Sequence, residues 1–271
     1  MNRRYTYIIL VILVTTVLYF AERYVNKRTE HYPSDQKEAK ADTSEFNEQF
    51  YPSSTTHAIV SHNYFTLSYS EVHEQAEWVA YELLPEHISS NQIERPYFVQ
   101  DRKVRSESAD WRNYKNSGFD RGHLCPAGDR KFDYNAFHET FLTSNISPQD
   151  PDFNGGIWNR LEQKVRFWAK KYDGVFVVTG GVLKSGLSTI GNERVSVPDH
   201  FYKIVADHSE ENIKAIAFLI PNDPSERSFY DFAVTIDQIE KETGIDFFAG
   251  LPDSEEKKLE ETVDLKAWGG R

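Results

Sequence analysis

Apolar positions fall into three patterns along the chain, and each predicts a different element. The first is continuous. Residues 5–21 form an uncharged, strongly apolar run, preceded by Arg3 and Arg4 and followed by Arg23, Lys27 and Arg28. Such a run has no polar face, so it predicts a membrane anchor or a signal peptide rather than a core helix. Tyr19 and Phe20 crowd Ala21, which leaves no small-x-small cleavage site and favours an uncleaved anchor. The second pattern is short and rich in β-branched and aromatic residues, which predicts strands. It occurs at AIVSHNYFTLSYS, at Glu77–Leu84, and later at GVFVVTGGVL, VSVPDHFYKIVAD and IKAIAFLIPN. The third has helical spacing. In NGGIWNRLEQKVRFWAKKY, Ile157, Leu161, Val165 and Trp168 recur at helical intervals. DYNAFHETFLTSN and SFYDFAVTIDQIEKETG predict further helices, the latter ending at Gly244.

Strands and helices do not alternate in βαβ order, so the pattern predicts an α+β fold with an antiparallel sheet. Four regions follow: an N-terminal signal anchor or signal peptide over 1–21, a polar linker over 22–55, a folded domain over 56–251, and a C-terminal tail over 252–271 containing a short helix and a loose end.

Composition adds two constraints. One cysteine, Cys125, rules out an intramolecular disulfide and a thiolate zinc cage. The net charge of −11 argues against polyanionic partners, but the charge is unevenly distributed. From Arg95 to Lys171 there are fourteen Lys/Arg against ten Asp/Glu, while the remainder holds seventeen against thirty-two. One segment could therefore attract phosphate.

That segment contains GFDRGHLCPAGDRKFD, with Asp120, Arg121, His123, Asp129, Arg130 and Lys131 packed around glycines and a proline. Such charge density predicts a solvated turn or a site. The chain lacks GxGxxG after a strand, a P-loop, HExxH, GxSxG and CxxC. Cys125, two residues from His123, reads as a small buried hydrophobe rather than a nucleophile. Downstream, Asn154, Trp158, Glu162 and Arg166 are spaced by four, so an uninterrupted helix would align them on one ridge. A Glu162–Arg166 surface pair is the plainer reading of that ridge.

Set against His123, the ridge is compatible with phosphodiester hydrolysis, which needs a base, a cation and a proton donor. His123 can serve as base. The Asn154 amide oxygen can hold a hard cation such as Mg²⁺, with Glu162 binding a coordinated water. Arg121 and Arg166 can fork onto phosphate oxygens.

FDRGHLCPAGD followed by TSNISPQDPDFNGGIWNRLEQKVR resembles the DNA/RNA non-specific endonuclease family, including its endonuclease G-like members. The similarity also takes in EWVAYELL, VPDHFYKIV and AFLIPN, and spans roughly His57 to Leu251. It implies a ββα-metal nuclease fold, a central antiparallel sheet with flanking helices, and Mg²⁺-dependent cleavage of DNA and RNA, with Mn²⁺ as a substitute ion. By motif position it implies His123 as general base, Asn154 as the direct metal ligand and Glu162 as the holder of metal-bound water. Asn145 would position the site, Arg121 and Arg166 would contact phosphate, and Arg95 matches an upstream arginine. Asp120 would tie down the local backbone, and Asp129, Arg130 and Lys131 would be solvated. The remaining histidines stay unassigned, with His138 facing outward. The implied partners are DNA and RNA, a membrane through the N-terminal segment, and a second copy in a homodimer; no inhibitor protein is legible. The apolar N-terminus predicts a catalytic domain anchored outside the cytosol, or secreted or periplasmic if the segment is cleaved. A nucleic-acid or protein binding module of the same fold, and a phosphodiesterase for smaller substrates, are the alternatives.

Overall fold

The central strands of this chain are covered on both faces, and so VFVVTGG, HFYKIVAD and AIAFLIP read as nearly continuous apolar runs rather than strict alternations. The computed structural model describes residues 13–20, 50–207 and 213–270, in units spanning Met1–Ala41 and Asp42–Arg271. The second unit contains β1 (Ile59–Ser61), β2 (Thr66–Ser70), β3 (Gln75–Leu83), β4 (Asp120–His123), α1 (Tyr134–Glu139) and β5 (Ile146–Gln149). These are followed by α2 (Asn159–Lys171), β6 (Val175–Gly181), β7 (Thr189–Ile190), β8 (Val195–Ser196), β9 (His200–Asp207) and β10 (Ala215–Pro221). The last elements are β11 (Ala233–Val234), α3 (Ile236–Thr243) and α4 (Asp253–Glu260). The order β1-β2-β3-β6-β9-β10-β11 makes one sheet, antiparallel throughout.

Successive residues of a strand point to opposite faces, and here each face has its own core. Val79, Tyr81, Val177 and Val205 pack with Leu161, Val165 and Trp168 of α2. Trp78, Ala80, Val178 and Ile204 pack with Ile236 and Ile239 of α3 and Leu259 of α4. The apolar stripe read from the sequence is therefore the buried face of α2 and of the turn before it. Helix α3 stops at Gly244, whose φ of 72° closes the helix in the left-handed conformation that glycine adopts without strain.

The domain extends beyond both expected edges. Phe50 stacks on Phe176 at 4.4 Å, so the chain is already packed before residue 56. At the other end, α4 is the expected short helix, but no loose end follows it. Trp268 is fully buried, edge-on to Trp168, and its carbonyl accepts from Trp168 Nε1 (3.0 Å) and Tyr230 Oη (2.8 Å). Of the N-terminal apolar run, residues 13–20 are helical with exposed side chains; most of the expected anchor and linker lie outside the described residues. Among the described residues, no helix is long and apolar enough to cross a membrane.

Candidate functional site

The DRGH segment is β4, and it pairs with β5 apart from the main sheet, from Asp120 opposite Gln149 to His123 opposite Ile146. Gly122 lets the buried Gln149 side chain lie directly over β4. A Cβ at this position would lie 2.1 Å from Gln149 Oε1. Just beyond β4, Asn145 holds the chain: its Oδ1 accepts from the Cys125 N–H (2.8 Å), and its Nδ2 donates to the carbonyls of Cys125 (3.0 Å) and Thr140 (2.9 Å). This fully buried amide thus fixes the backbone that carries His123.

Alternation along β4 divides its side chains between two faces. Arg121 and His123 share one. The imidazole lies 5.0 Å edge-on from Phe141 and 5.6 Å from Phe98. The Arg95 guanidinium sits over these same two rings, at 5.3 and 5.6 Å, and Arg121 lies 4.9 Å from Phe98. Burial, and then the Arg95 charge, push His123 down to about 3, so the imidazole is neutral near pH 7. Its Nε2 is buried with no hydrogen-bond partner. A neutral imidazole retains a lone pair with which to take a proton.

Asp120 faces the other way. Its Oδ2 accepts from Asn154 Nδ2 at 2.9 Å, so the carboxylate orients an amide rather than tying down local backbone. The amide nitrogen is thereby committed, and Oδ1 is the atom left for a cation. Hard divalent cations take oxygen ligands of this kind, so the residues present fit one.

Asn154 belongs to a wide helical turn, Asn154–Trp158, in which Gly156 leaves helical geometry (φ −96°, ψ −109°). This corrects the single ridge. The turn shifts the phase, Trp158 enters the core, and only Glu162 and Arg166, both within α2, keep their common face. Nor do those two form an exposed pair. Arg166 Nη1 donates to Asp129 Oδ1 at 2.6 Å, and the Tyr81 hydroxyl donates to Asp129 Oδ2 at 3.1 Å. Asp129 and Arg130, expected in solvent, are both buried; Arg130 donates to the carbonyls of Tyr64 and Glu82 and lies over the Tyr81 ring. His138 is half-buried and stacked on Tyr134 instead of facing outward.

Burial pushes Glu162 up to about 7, with Asp129 adding to the rise and the Lys203 and Arg166 charges opposing it. Lys203, on β9, is fully buried. Its Nζ lies 4.6 Å from the Trp158 ring centroid and has no hydrogen-bond partner. Cys125 is buried too, its thiol pushed up to about 12, which removes it as a nucleophile. Sequence reasoning assigned no role to Lys203 and the wrong partner to Asp120. A lone lysine within the apolar run FYKIVAD was the available signal for the first; the second depends on a contact across thirty-four positions.

The structure thus assembles Arg95, Arg121 and His123 around Phe98 and Phe141, joins Asp120 to Asn154, and groups Glu162, Arg166, Asp129 and Lys203 beneath α2. Strand β4 links the first two groups, and the helical segment 151–171 links the last two.

Comparison with known proteins agrees with this frame. The model of the family described as DNA/RNA non-specific endonuclease matches residues 42–254. The chain is 34% identical over 207 residues to the zebrafish (Danio rerio) protein named Nuclease EXOG, mitochondrial, covering 68% of this chain and 59% of that protein. It is 31% identical over 234 residues to the Mitochondrial nuclease of Saccharomyces cerevisiae, covering 78% and 71%. It is 32% identical over 205 residues to human Endonuclease G, mitochondrial, covering 69% and 68%. A solved EndoG/EndoGI complex superposes with a TM-score of 0.68 at 30% identity, covering 73% of this chain and 88% of that one. With its antiparallel sheet and the His-bearing ribbon leading into the Asn-bearing helix, the chain belongs to the DNA/RNA non-specific endonuclease family, in its ββα-metal fold.

Proposed function

We propose that this protein is a divalent-metal-dependent endonuclease that hydrolyses phosphodiester bonds of both DNA and RNA. One observation carries the reading. A half-buried His123, neutral near pH 7, lies three residues from Asp120, whose carboxylate turns the Asn154 amide so that Oδ1 is left for a metal. In this scheme His123 takes the proton from the attacking water. Asn154, with Glu162 acting through a water, holds Mg²⁺. When bound, the ion stabilises charge on the phosphate and favours ionisation of water. Arg121 and Arg95 border the histidine and supply positive charge to the substrate phosphates. Arg166 already donates to Asp129, so it reaches phosphate only through its remaining N–H groups. Asn145 holds the histidine-bearing backbone in place. Recognition through phosphate and metal carries little sequence information, which suits a substrate class without sequence preference.

The apolar run over 5–21 supports extending the proposal to location, with the domain anchored at or exported across a membrane. Cell fractionation that finds the domain free in the cytosol would sink that part.

The test of function is cleavage of plasmid DNA and of RNA by the full chain, with Mg²⁺ and with EDTA. We expect loss of both substrates with Mg²⁺ only, and a fall of roughly 10²–10⁴ in rate for His123→Ala. A folded wild type that cleaves neither polymer would refute the endonuclease.

A further inference from the structure

On the sheet face opposite α2, where α3 and α4 pack, five carboxylates converge. Asp237 and Glu240 come from α3, Asp246 from the loop after it, and Glu256 and Glu260 from α4. One oxygen each from Asp237, Glu240 and Glu260 lie within 4.8 Å of one another, and the same holds for Asp246, Glu256 and Glu260. Glu260 is common to both triplets. Among the described residues, none of the five forms an ion pair.

Glu260 is what distinguishes this cluster from an ordinary acidic surface. It is only 9% exposed, its Oε1 is buried without a hydrogen-bond partner, and its carboxyl group meets that of Glu240, a contact that holds only while a proton or a cation lies between them. It is also the last residue of α4, where the helix dipole disfavours negative charge. Burial, then Glu240 and Glu256, push its carboxyl up to about 8. The Phe247 N–H relieves the pocket in part, donating to Glu240 Oε1 at 2.8 Å. A proton on Glu260 would neutralise one carboxylate and leave four. A cation would satisfy the orphan oxygen and the surrounding charge together.

The donor set favours one ion. Ca²⁺ accepts irregular sets of carboxylates without waters fixed in a strict geometry. Mg²⁺, at about 2.1 Å, demands a tighter octahedron and prefers to keep its waters. We propose that Glu260, with Asp246 and Glu256, forms a second divalent-cation site, of Ca²⁺ type, that clamps α4 to the loop after α3 and is independent of the Asn154 site; Asp237 and Glu240, which group with Glu260 separately, add negative charge beside it. Its role is structural, because it lies across the sheet from His123.

The test uses the chelator-stripped full chain with Ca²⁺ as probe, read by calorimetric titration and thermal unfolding. Asn154→Ala serves as the background in which the catalytic metal site is disabled. Ca²⁺ should bind this variant and raise its Tm as much as that of the wild type. Glu260→Gln should lose both effects. Should Glu260→Gln fail to fold, Glu256→Gln decides: Glu256 is only half-buried, and removing its charge should lower Ca²⁺ affinity by about tenfold or more. Absence of Ca²⁺ binding in Asn154→Ala would overturn the site, leaving a shared proton as the relief. Undiminished binding in folded Glu260→Gln or Glu256→Gln would overturn it as well.

Discussion

Replacing Asp120 by Ala removes the acceptor that orients the Asn154 amide. We expect a raised Mg²⁺ requirement, with most of the rate recovered at saturating Mg²⁺, because Asp120 acts through Asn154 and not on substrate. Losing a side chain that orients a metal ligand typically costs about 10–100-fold in metal affinity or activity. A Mg²⁺ titration of cleavage checks this, and an unchanged midpoint would separate Asp120 from the metal site. His123 makes a different prediction, about stability. Its side chain sits near 3 in the folded protein against an ordinary 6.5, so between these values unfolding takes up a proton. Its neutral burial therefore costs nothing above 6.5, and its contribution turns increasingly destabilising as pH falls toward 3. Glu162, raised from 4.5 to about 7, works in the opposite sense, so the histidine is isolated by comparison with His123→Ala. In metal-free urea unfolding, the wild type should lose stability relative to that variant as pH drops below 6.5. A gap that does not change with pH would contradict the neutral imidazole.

At the scale of elements, the two ends of the domain hold the layers together. Trp268 fills a fully enclosed position against Trp168 and Tyr172 and accepts two hydrogen bonds through its carbonyl. Trp268→Ala should cost about 3–5 kcal/mol, the usual range for emptying a large aromatic site. Denaturant unfolding measures it, and a cost below about 1 kcal/mol would mean that the C-terminal segment is not packed as described. The segment 151–171 is two helices joined by a wide turn. That turn lets Asn154 face β4 while Trp158 enters the core and Glu162 and Arg166 stay together on α2.

Across the whole molecule, charge is divided between regions. The segment holding His123, Asn154 and Arg166 carries an excess of basic residues, while α3, α4 and their loop concentrate carboxylates on the other side of the sheet. A net charge of −11 spread evenly would repel a polyanion; this arrangement presents it with arginines. Binding of nucleic acid by His123→Ala in EDTA should therefore weaken steeply with salt, with a log–log slope of about −0.7 to −0.9 for each phosphate that the protein neutralises. Binding insensitive to salt would mean that Arg95 and Arg121 do not meet phosphate.

Local pattern was enough to determine the strand runs, the buried stripe of α2, the stop at Gly244 and the family motifs, because burial periodicity and glycine conformation act over a few residues. The motif also picked out His123, Asn145, Asn154 and Glu162 as candidates. Tertiary structure alone decided what each side chain touches. The same dense charge that reads as a solvated turn becomes a buried Asp129–Arg166 pair once Tyr81 and α2 close over it. Asp120 finds Asn154, Lys203 finds the Trp158 ring, and Trp268 finds Trp168, each across thirty to a hundred positions. Such pairings are set by strand order and by the phase of one wide helical turn, and neither is written in any short stretch of residues.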